Sequence, residues 1–209
     1  MQPMETADLA LVLAVDGSAS VTYDEFNLIA GGMARALRDK AVIAGLTGGP
    51  AKMSYASLLL WSGTGAQDVI VNWTRIANES DALAFADAVD NMSRSTVRPG
   101  ETAIGEALLR ALTLLAEVPA IPKRSVVDVI GDGRSNSGIP PGPIRDRMAG
   151  ASITINGLCI LHEEPDLLHS YTQEVIGGPA AFAVICKDYP DFAHAMKQKL
   201  IRETNAPIA

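Results

Sequence analysis

The chain has 209 residues, 48% of them hydrophobic and 20% charged, and a chain of this size can bury about 70% of its unfolded surface, enough for one full core without metal or disulfide staples. That composition excludes a disordered chain, a coiled coil and a collagen-like repeat. Seventeen Lys and Arg against 24 Asp and Glu leave a net charge of −7, which repels a phosphate backbone in the absence of a basic cluster, so nucleic acid is not an expected partner.

Strand-like and helix-like segments alternate along the whole sequence, which is read as a single domain over 1–209. Leu9–Val15 is a continuous apolar run of strand length that stops at Asp16-Gly17, the pattern of a strand buried on both faces. Thr22–Asp39 carries Phe26, Ile29, Ala30, Met33, Ala36 and Leu37 at helical spacing, with Asp24 and Glu25 in the first turn, where the helix dipole favours anions. Met53–Trp61 and Val69–Trp73, separated by Ser62-Gly63-Thr64-Gly65, predict an antiparallel hairpin with both tryptophans in its core. Helices follow over Ser80–Met92, with Ser80 as N-cap, and over Thr102–Glu117, ended by Pro119.

Val126–Ile130 is the next strand, closed by Gly131-Asp132-Gly133. A polar loop from Arg134 to Pro143 leads to a short helix over Ile144–Gly150. Ser152–Leu161 reads as a strand, Asp166–Ile176 as a helix, Ala180–Cys186 as a strand and Asp191–Arg202 as a terminal amphipathic helix. The alternation predicts an α/β, doubly wound, mostly parallel six-stranded sheet with one antiparallel edge strand and helices on both faces. No apolar run reaches the 18 residues of a membrane span, and the opening Met1–Thr6 shows neither a basic nor an apolar leader region.

In open sheets of this kind ligands sit beyond the carboxyl ends of strands, where the strand order reverses. Two such loops begin with a carboxylate: Asp16 in Asp16-Gly17-Ser18-Ala19-Ser20, and Asp132 in Gly131-Asp132-Gly133. If their strands are neighbours, the sheet holds the two carboxylates close together, and either one is protonated or a cation lies between them. Ser18 and Ser20, at i and i+2, and Thr102, at a helix start, add hydroxyl oxygens. An oxygen-only set suits a hard divalent ion, Mg²⁺ above all, with Mn²⁺ and Ca²⁺ sharing the preference; the lack of nitrogen and sulfur in these loops argues against zinc.

Asp16-x-Ser18-x-Ser20, Thr102 within Gly100-Glu101-Thr102-Ala103-Ile104-Gly105-Glu106-Ala107-Leu108, and Asp132 resemble, in order and spacing, the metal-ion-dependent adhesion site (MIDAS) of von Willebrand factor A domains. More narrowly, Val127–Gly133, Ile153–Leu158 and Val175–Phe182 resemble a mainly proteobacterial family with an A-like domain whose members are commonly exported. The resemblance implies a doubly wound A-type fold and a periplasmic or extracellular location. It implies that Ser18, Ser20 and Thr102 ligate the metal directly, that Asp16 and Asp132 act largely through water, and that a sixth position stays open for an Asp or Glu of a partner protein.

Two positions depart from the pattern: Glu101 stands in place of the usual glycine and is a potential internal competitor for the open position, and Gly131 stands where many A domains carry Ser or Thr. The loop residues Arg134 and Asn136, with Glu101, are the candidate partner-binding side chains. The leading expectation is a non-enzymatic, metal-dependent protein-binding module. A metal-dependent hydrolase or phosphatase on the same carboxylates, or a scaffold with a vestigial site, are the alternatives; no Asp-x-Asp, Gly-x-Ser-x-Gly or Walker lysine motif occurs to favour the hydrolase. Asp128, inside an apolar strand, is expected to have a buried structural partner. The histidines 162, 169 and 194 are read as solvated or structural, and a disulfide between Cys159 and Cys186 is left open.

Overall fold

A computed structural model describes residues 4–94 and 100–205; Met1–Pro3 of the opening segment lie outside the described residues. In chain order its elements begin with β1 (Thr6–Ala7), β2 (Leu9–Asp16), α1 (Tyr23–Leu37), α2 (Lys40–Thr47), β3 (Ser54–Trp61), β4 (Gln67–Ile76) and α3 (Glu79–Asp90). They continue with α4 (Ile104–Ala116), β5 (Ile121–Pro122), β6 (Ser125–Gly131), α5 (Pro141–Gly150) and β7 (Ile153–Ile160). The chain then forms α6 (Leu167–Ser170), which runs into a π turn over Tyr171–Val175, then β8 (Ala183–Cys186) and α7 (Phe192–Thr204), entered through a 3₁₀ turn over Tyr189–Asp191.

Six strands form one sheet in the order β4-β3-β2-β6-β7-β8, parallel except for the antiparallel β3/β4 edge. β1 and β5 form a separate two-stranded parallel ribbon. Every residue of β2 is buried, and the two faces of the strand explain the layers. Leu9, Leu11, Leu13 and Val15 pack with Phe26, Ile29 and Met33 of α1 and with Phe192, Met196 and Leu200 of α7. Ala10, Val12 and Ala14 face the other layer, with Ile104, Ala107, Leu108 and Ala111 of α4. The small side chains on that face let α4 lie close to the sheet.

β2 and β6 are adjacent and in register from Ala10↔Ser125 to Val15↔Ile130, so both strands end at the same level. The strand order reverses between them: the chain leaves β2 for β3 on one side, while β6 leads to β7 and β8 on the other. The sequence expectation that Asp16 and Asp132 stand side by side at the reversal point is therefore met.

Local chemistry accounts for the element ends, with some differences from the sequence reading. α1 starts at a capping box: the Thr22 hydroxyl accepts from the Glu25 N–H while the Glu25 carboxylate accepts from the Thr22 N–H. Asn78, not Ser80, caps α3, its side chain accepting from the Asp81 N–H at 3.0 Å. α4 begins at Ile104 with no side-chain cap, which frees the Thr102 hydroxyl from that role. α2 is a helix that the sequence reading, which ends the first helix at Asp39, does not assign; Asp39 caps it, accepting from the Ala41 N–H at 2.9 Å. Of the helix expected over Asp166–Ile176, only four residues are α-helical before the π turn.

The two cysteines are free. Cys159 is level with Ile185, and Cys186 with Ile160, so the thiols project from opposite faces of the sheet, one into each core layer. Parity alone rules out the disulfide left open above.

Gly105 ties the site loop to α4: a Cβ there would come within 1.9 Å of the Ile139 carbonyl oxygen. Gly105→Ala is expected to cost about 1–3 kcal/mol by overpacking, read as a lower urea midpoint at unchanged slope; a midpoint equal to wild type would contradict this packing.

Candidate metal centre

Beyond the ends of β2 and β6 the loops Gly17–Val21, Gly100–Ala103 and Asp132–Asn136 converge. Gly17 donates its N–H to the Trp61 carbonyl at 2.7 Å, and Ala19 donates to the Gly100 carbonyl at 2.9 Å, which pins the serine loop to the loop bearing Thr102. Asp16 Oδ1 accepts from the Ser18 N–H at 2.7 Å, an Asx turn that orients the serines. The Ser18 and Ser20 hydroxyls lie 3.1 Å apart, and Ser20 donates to Asp132 Oδ1 at 2.9 Å. Ser18, Ser20, Thr102 and Asp132 line one open cleft of about 450 Å³, and Asp16, fully buried, adjoins it through its bond from Ser18 and lies beside Gly131. The structure therefore brings all five predicted site residues into one place.

The three further candidates are held differently. Asn136 turns inward: its N–H donates to the Thr102 carbonyl at 2.9 Å and its Oδ1 accepts from the Thr102 N–H at 2.8 Å, so it clamps Thr102. Arg134 lines the cleft, but its guanidinium pairs with Glu164 at 2.6 Å and Asp166 at 2.5 Å, and its N–H donates to Glu164 at 3.1 Å. Glu101 is exposed on the cleft wall.

Two supporting residues were not singled out from the sequence. Tyr189, at the entry to α7, donates to Asp132 Oδ2 at 2.9 Å. Arg94 is buried and donates to the Ser18 carbonyl at 2.7 Å, with Tyr23 lying 5.1 Å beneath its guanidinium. Each comes from an element more than 50 residues from its partner, and its role appears only when the sheet is assembled. An aromatic residue just ahead of the last amphipathic helix was the one available hint for Tyr189.

Electrostatics mark the two aspartates as a strained pair. Burial, and then repulsion from Asp132, push the Asp16 carboxyl up from 3.8 to about 7 against the bonds from Ser18. Burial also raises Asp132, opposed by Ser20 and Tyr189. Asp16 Oδ2 is buried and has no hydrogen-bond partner in the protein. An orphaned carboxylate oxygen, a second carboxylate beside it and three converging hydroxyls form a donor set that fits a hard divalent cation held by few charged ligands. Among the described residues no group of three His, Cys, Asp or Glu side chains converges, so a cation here depends on the hydroxyls.

A family model described as a protein of unknown function, DUF1194, matches residues 6–208. The chain belongs to the DUF1194 family. No curated protein matches it. Among solved structures, a von Willebrand factor type A protein from Catenulispora acidiphila superposes on this DUF1194 chain with a TM-score of 0.66 at 20% identity, covering 97% of this chain and 44% of that one. The proximal thread matrix protein 1 of the mussel byssus, with a zinc-occupied MIDAS motif, superposes at 0.64 with 15% identity, covering 94% and 48%. The von Willebrand factor domain of the type V pilus tip protein Mfa5 from Porphyromonas gingivalis superposes at 0.63 with 9% identity, covering 97% of both chains.

This DUF1194 member has the α/β fold of von Willebrand factor A domains, as the motif resemblance implies. It spans less than half the length of the first two structures. Zinc occupies the MIDAS motif of the mussel protein, so the absence of nitrogen and sulfur ligands does not by itself exclude zinc from such a motif.

Proposed function

We propose that the chain is a single non-enzymatic A-type domain, acting outside the cytoplasm, that binds a partner protein through a divalent ion, Mg²⁺ first, with Mn²⁺ or Ca²⁺ as substitutes. The observation that carries this reading is the convergence of the Ser18, Ser20 and Thr102 hydroxyls on two buried carboxylates, one with an unsatisfied oxygen. A divalent ion bound there supplies an electrophilic coordination position. Ser18, Ser20 and Thr102 would hold it through neutral oxygens, and Asp16 and Asp132 through water, so that little of its charge is cancelled. Asn136 fixes the Thr102 backbone, Arg94 fixes that of Ser18, and Tyr189 fixes the second Asp132 oxygen.

The surroundings explain why recognition of an Asp or Glu side chain would need the ion. Glu101, Glu163, Glu164 and Asp132 line the cleft, and Arg134, the one arginine among its described lining residues, is already paired with two carboxylates. An incoming carboxylate meets negative potential unless the cation is bound. Glu101, exposed at the wall, is the internal competitor for the same position, and Arg134 and Asn136 frame the approach.

Water-proton relaxation with Mn²⁺ as the probe tests this reading. The wild type is expected to enhance relaxation, because a bound ion keeps exchangeable water, and Thr102→Ala is expected to weaken Mn²⁺ binding by about tenfold or more. No enhancement with the wild type, or equal binding by the variant, would contradict it.

A further inference from the structure

Behind Asp16, away from the cleft, an aromatic hydroxyl occupies a slot made by two glycines. Gly131 ends β6 one residue before Asp132, and Gly157 lies on the adjacent β7. The Tyr171 ring packs against both. A Cβ at Gly157 would come 2.8 Å from Tyr171 Cδ1, and a Cβ at Gly131 would come 2.8 Å from the Tyr171 hydroxyl and 3.0 Å from Asp16 Oδ2. Neither strand can carry a side chain there while Tyr171 keeps its place.

Tyr171 opens the π turn, closed by the Ile176 N–H donating to the Tyr171 carbonyl at 2.9 Å. Such turns interrupt a helix at a cost in regular hydrogen bonding and recur at functional sites. Tyr171 is fully buried, and its hydroxyl has no partner in the protein. Asp16 Oδ2, flanking the same point, has none either. One group donates and the other accepts, and both lie within 3.0 Å of the Cβ position that Gly131 leaves empty, which puts them at most about 5.8 Å apart, a gap that one bridging water can span. Buried polar groups rarely go unsatisfied, and two complementary orphans side by side are best explained as partners.

We propose that Tyr171 is a positioning residue of the metal centre, its hydroxyl donating through a single water to Asp16 Oδ2. Together with the Ser18 N–H on Oδ1, this fixes the rotation of the carboxylate on which the Asx turn and both serines depend. The inference rests on the metal-site reading above. It assigns the two glycines a purpose beyond sheet packing: they make room for the tyrosine.

Tyr171→Phe keeps the ring and removes only the hydroxyl. Two quantities are measured for wild type and variant: Mg²⁺ affinity by calorimetry, and the unfolding midpoint in EDTA. A tyrosine ultraviolet difference spectrum on adding Mg²⁺ gives a third. The expected result is Mg²⁺ affinity about ten- to a hundredfold weaker in the variant, an EDTA midpoint close to wild type, and a Mg²⁺-induced tyrosine signal at saturation that is smaller in the variant, where Tyr189 on Asp132 alone contributes. Equal affinity in the two proteins would overturn the inference and leave the metal site standing. A fall in affinity matched by an equal loss of stability in EDTA would also overturn it, since a packing role alone produces that. A wild type that binds no divalent ion would remove the metal reading and this inference with it.

Discussion

Lys199→Met is expected to destabilise the protein by about 3–5 kcal/mol, the cost of removing one partner from a buried ion pair, and to lower the thermal midpoint by about 6–20 °C for a chain of this size. Lys199 is completely buried on α7, between Asp128 of β6, with which it forms an ion pair, and Glu203 at 3.4 Å, one helical turn on. Asn156 of β7 donates from its side-chain amide to Glu203, its own Oδ1 accepts from the Phe182 N–H at 2.9 Å, and the Phe182 ring lies 5.5 Å from the ammonium. Two carboxyls thus share one cation without solvent. Burial and the neighbouring Glu203 push Asp128 well above the ordinary carboxylate range, and Lys199 opposes them. Methionine fills the space but takes from Asp128 the cation it pairs with, while Glu203 keeps the Asn156 amide and lies in the field of Arg124. Adding Asp128→Leu to Lys199→Met is expected to recover most of the loss, because an apolar pair of similar volume replaces an ionic one at little net cost. Urea unfolding checks both; a single variant within 1 kcal/mol of wild type would show that the ammonium is dispensable.

A second large effect is expected from pH in the absence of metal. In EDTA, the wild type loses stability relative to Asp16→Asn as pH rises from about 4 to about 7. Asp16 is held up to about 7 in the folded protein against 3.8 ordinarily. Between those values the folded state keeps a proton that the unfolded chain has released, so folding takes up a proton and becomes less favourable as pH rises. Stability from this group is fully present below 4 and is lost as pH passes 7, a change of about 4 kcal/mol when complete. Asparagine keeps the oxygen that accepts from the Ser18 N–H but carries no charge, so Asp16→Asn is the more stable protein at pH 8. The difference between the two proteins isolates this residue from the other carboxylates, among which Asp39 and Asp166 are shifted the opposite way by Lys197 and Arg134. Parallel pH curves for the two proteins would contradict a strained, buried Asp16.

What the sequence makes legible follows from the range over which each feature is encoded. The buried run Leu9–Val15 and the run Val126–Ile130, each closed by a carboxylate and a glycine, contain within a few residues everything needed to place two strands and their exit loops. Alternation with helices then supplies the parallel order, and adjacency at the reversal point brings Asp16 and Asp132 together. α2 was left unassigned because it is only eight residues long, with Val42, Ile43 and Leu46 as its buried positions, too short a run to show a helical period. The π turn cannot be read from periodicity; Tyr171, which opens it, sits against Gly131 and Gly157 of two strands distant in sequence. Asn136 and Arg134 were read as partner-binding because their polar loop lies beside the proposed ion. The partners that hold them, Thr102 for one and Glu164 with Asp166 for the other, lie about 30 residues away. Asp128 was recognised as needing a partner, but Lys199 and Glu203 reach it only from α7.

The most direct test of the central claim is the thermal midpoint at pH 8 of the wild type and of Asp16→Asn, each in EDTA and in millimolar Mg²⁺. An ion that binds only the folded state at a hundred times its dissociation constant adds about 2.7 kcal/mol, or about 5–10 °C here. A Mg²⁺-dependent rise of that order in the wild type, absent from Asp16→Asn, is the predicted result. Midpoints that Mg²⁺ leaves unchanged in the wild type, or raises equally in both proteins, would contradict a divalent-ion site built on Asp16.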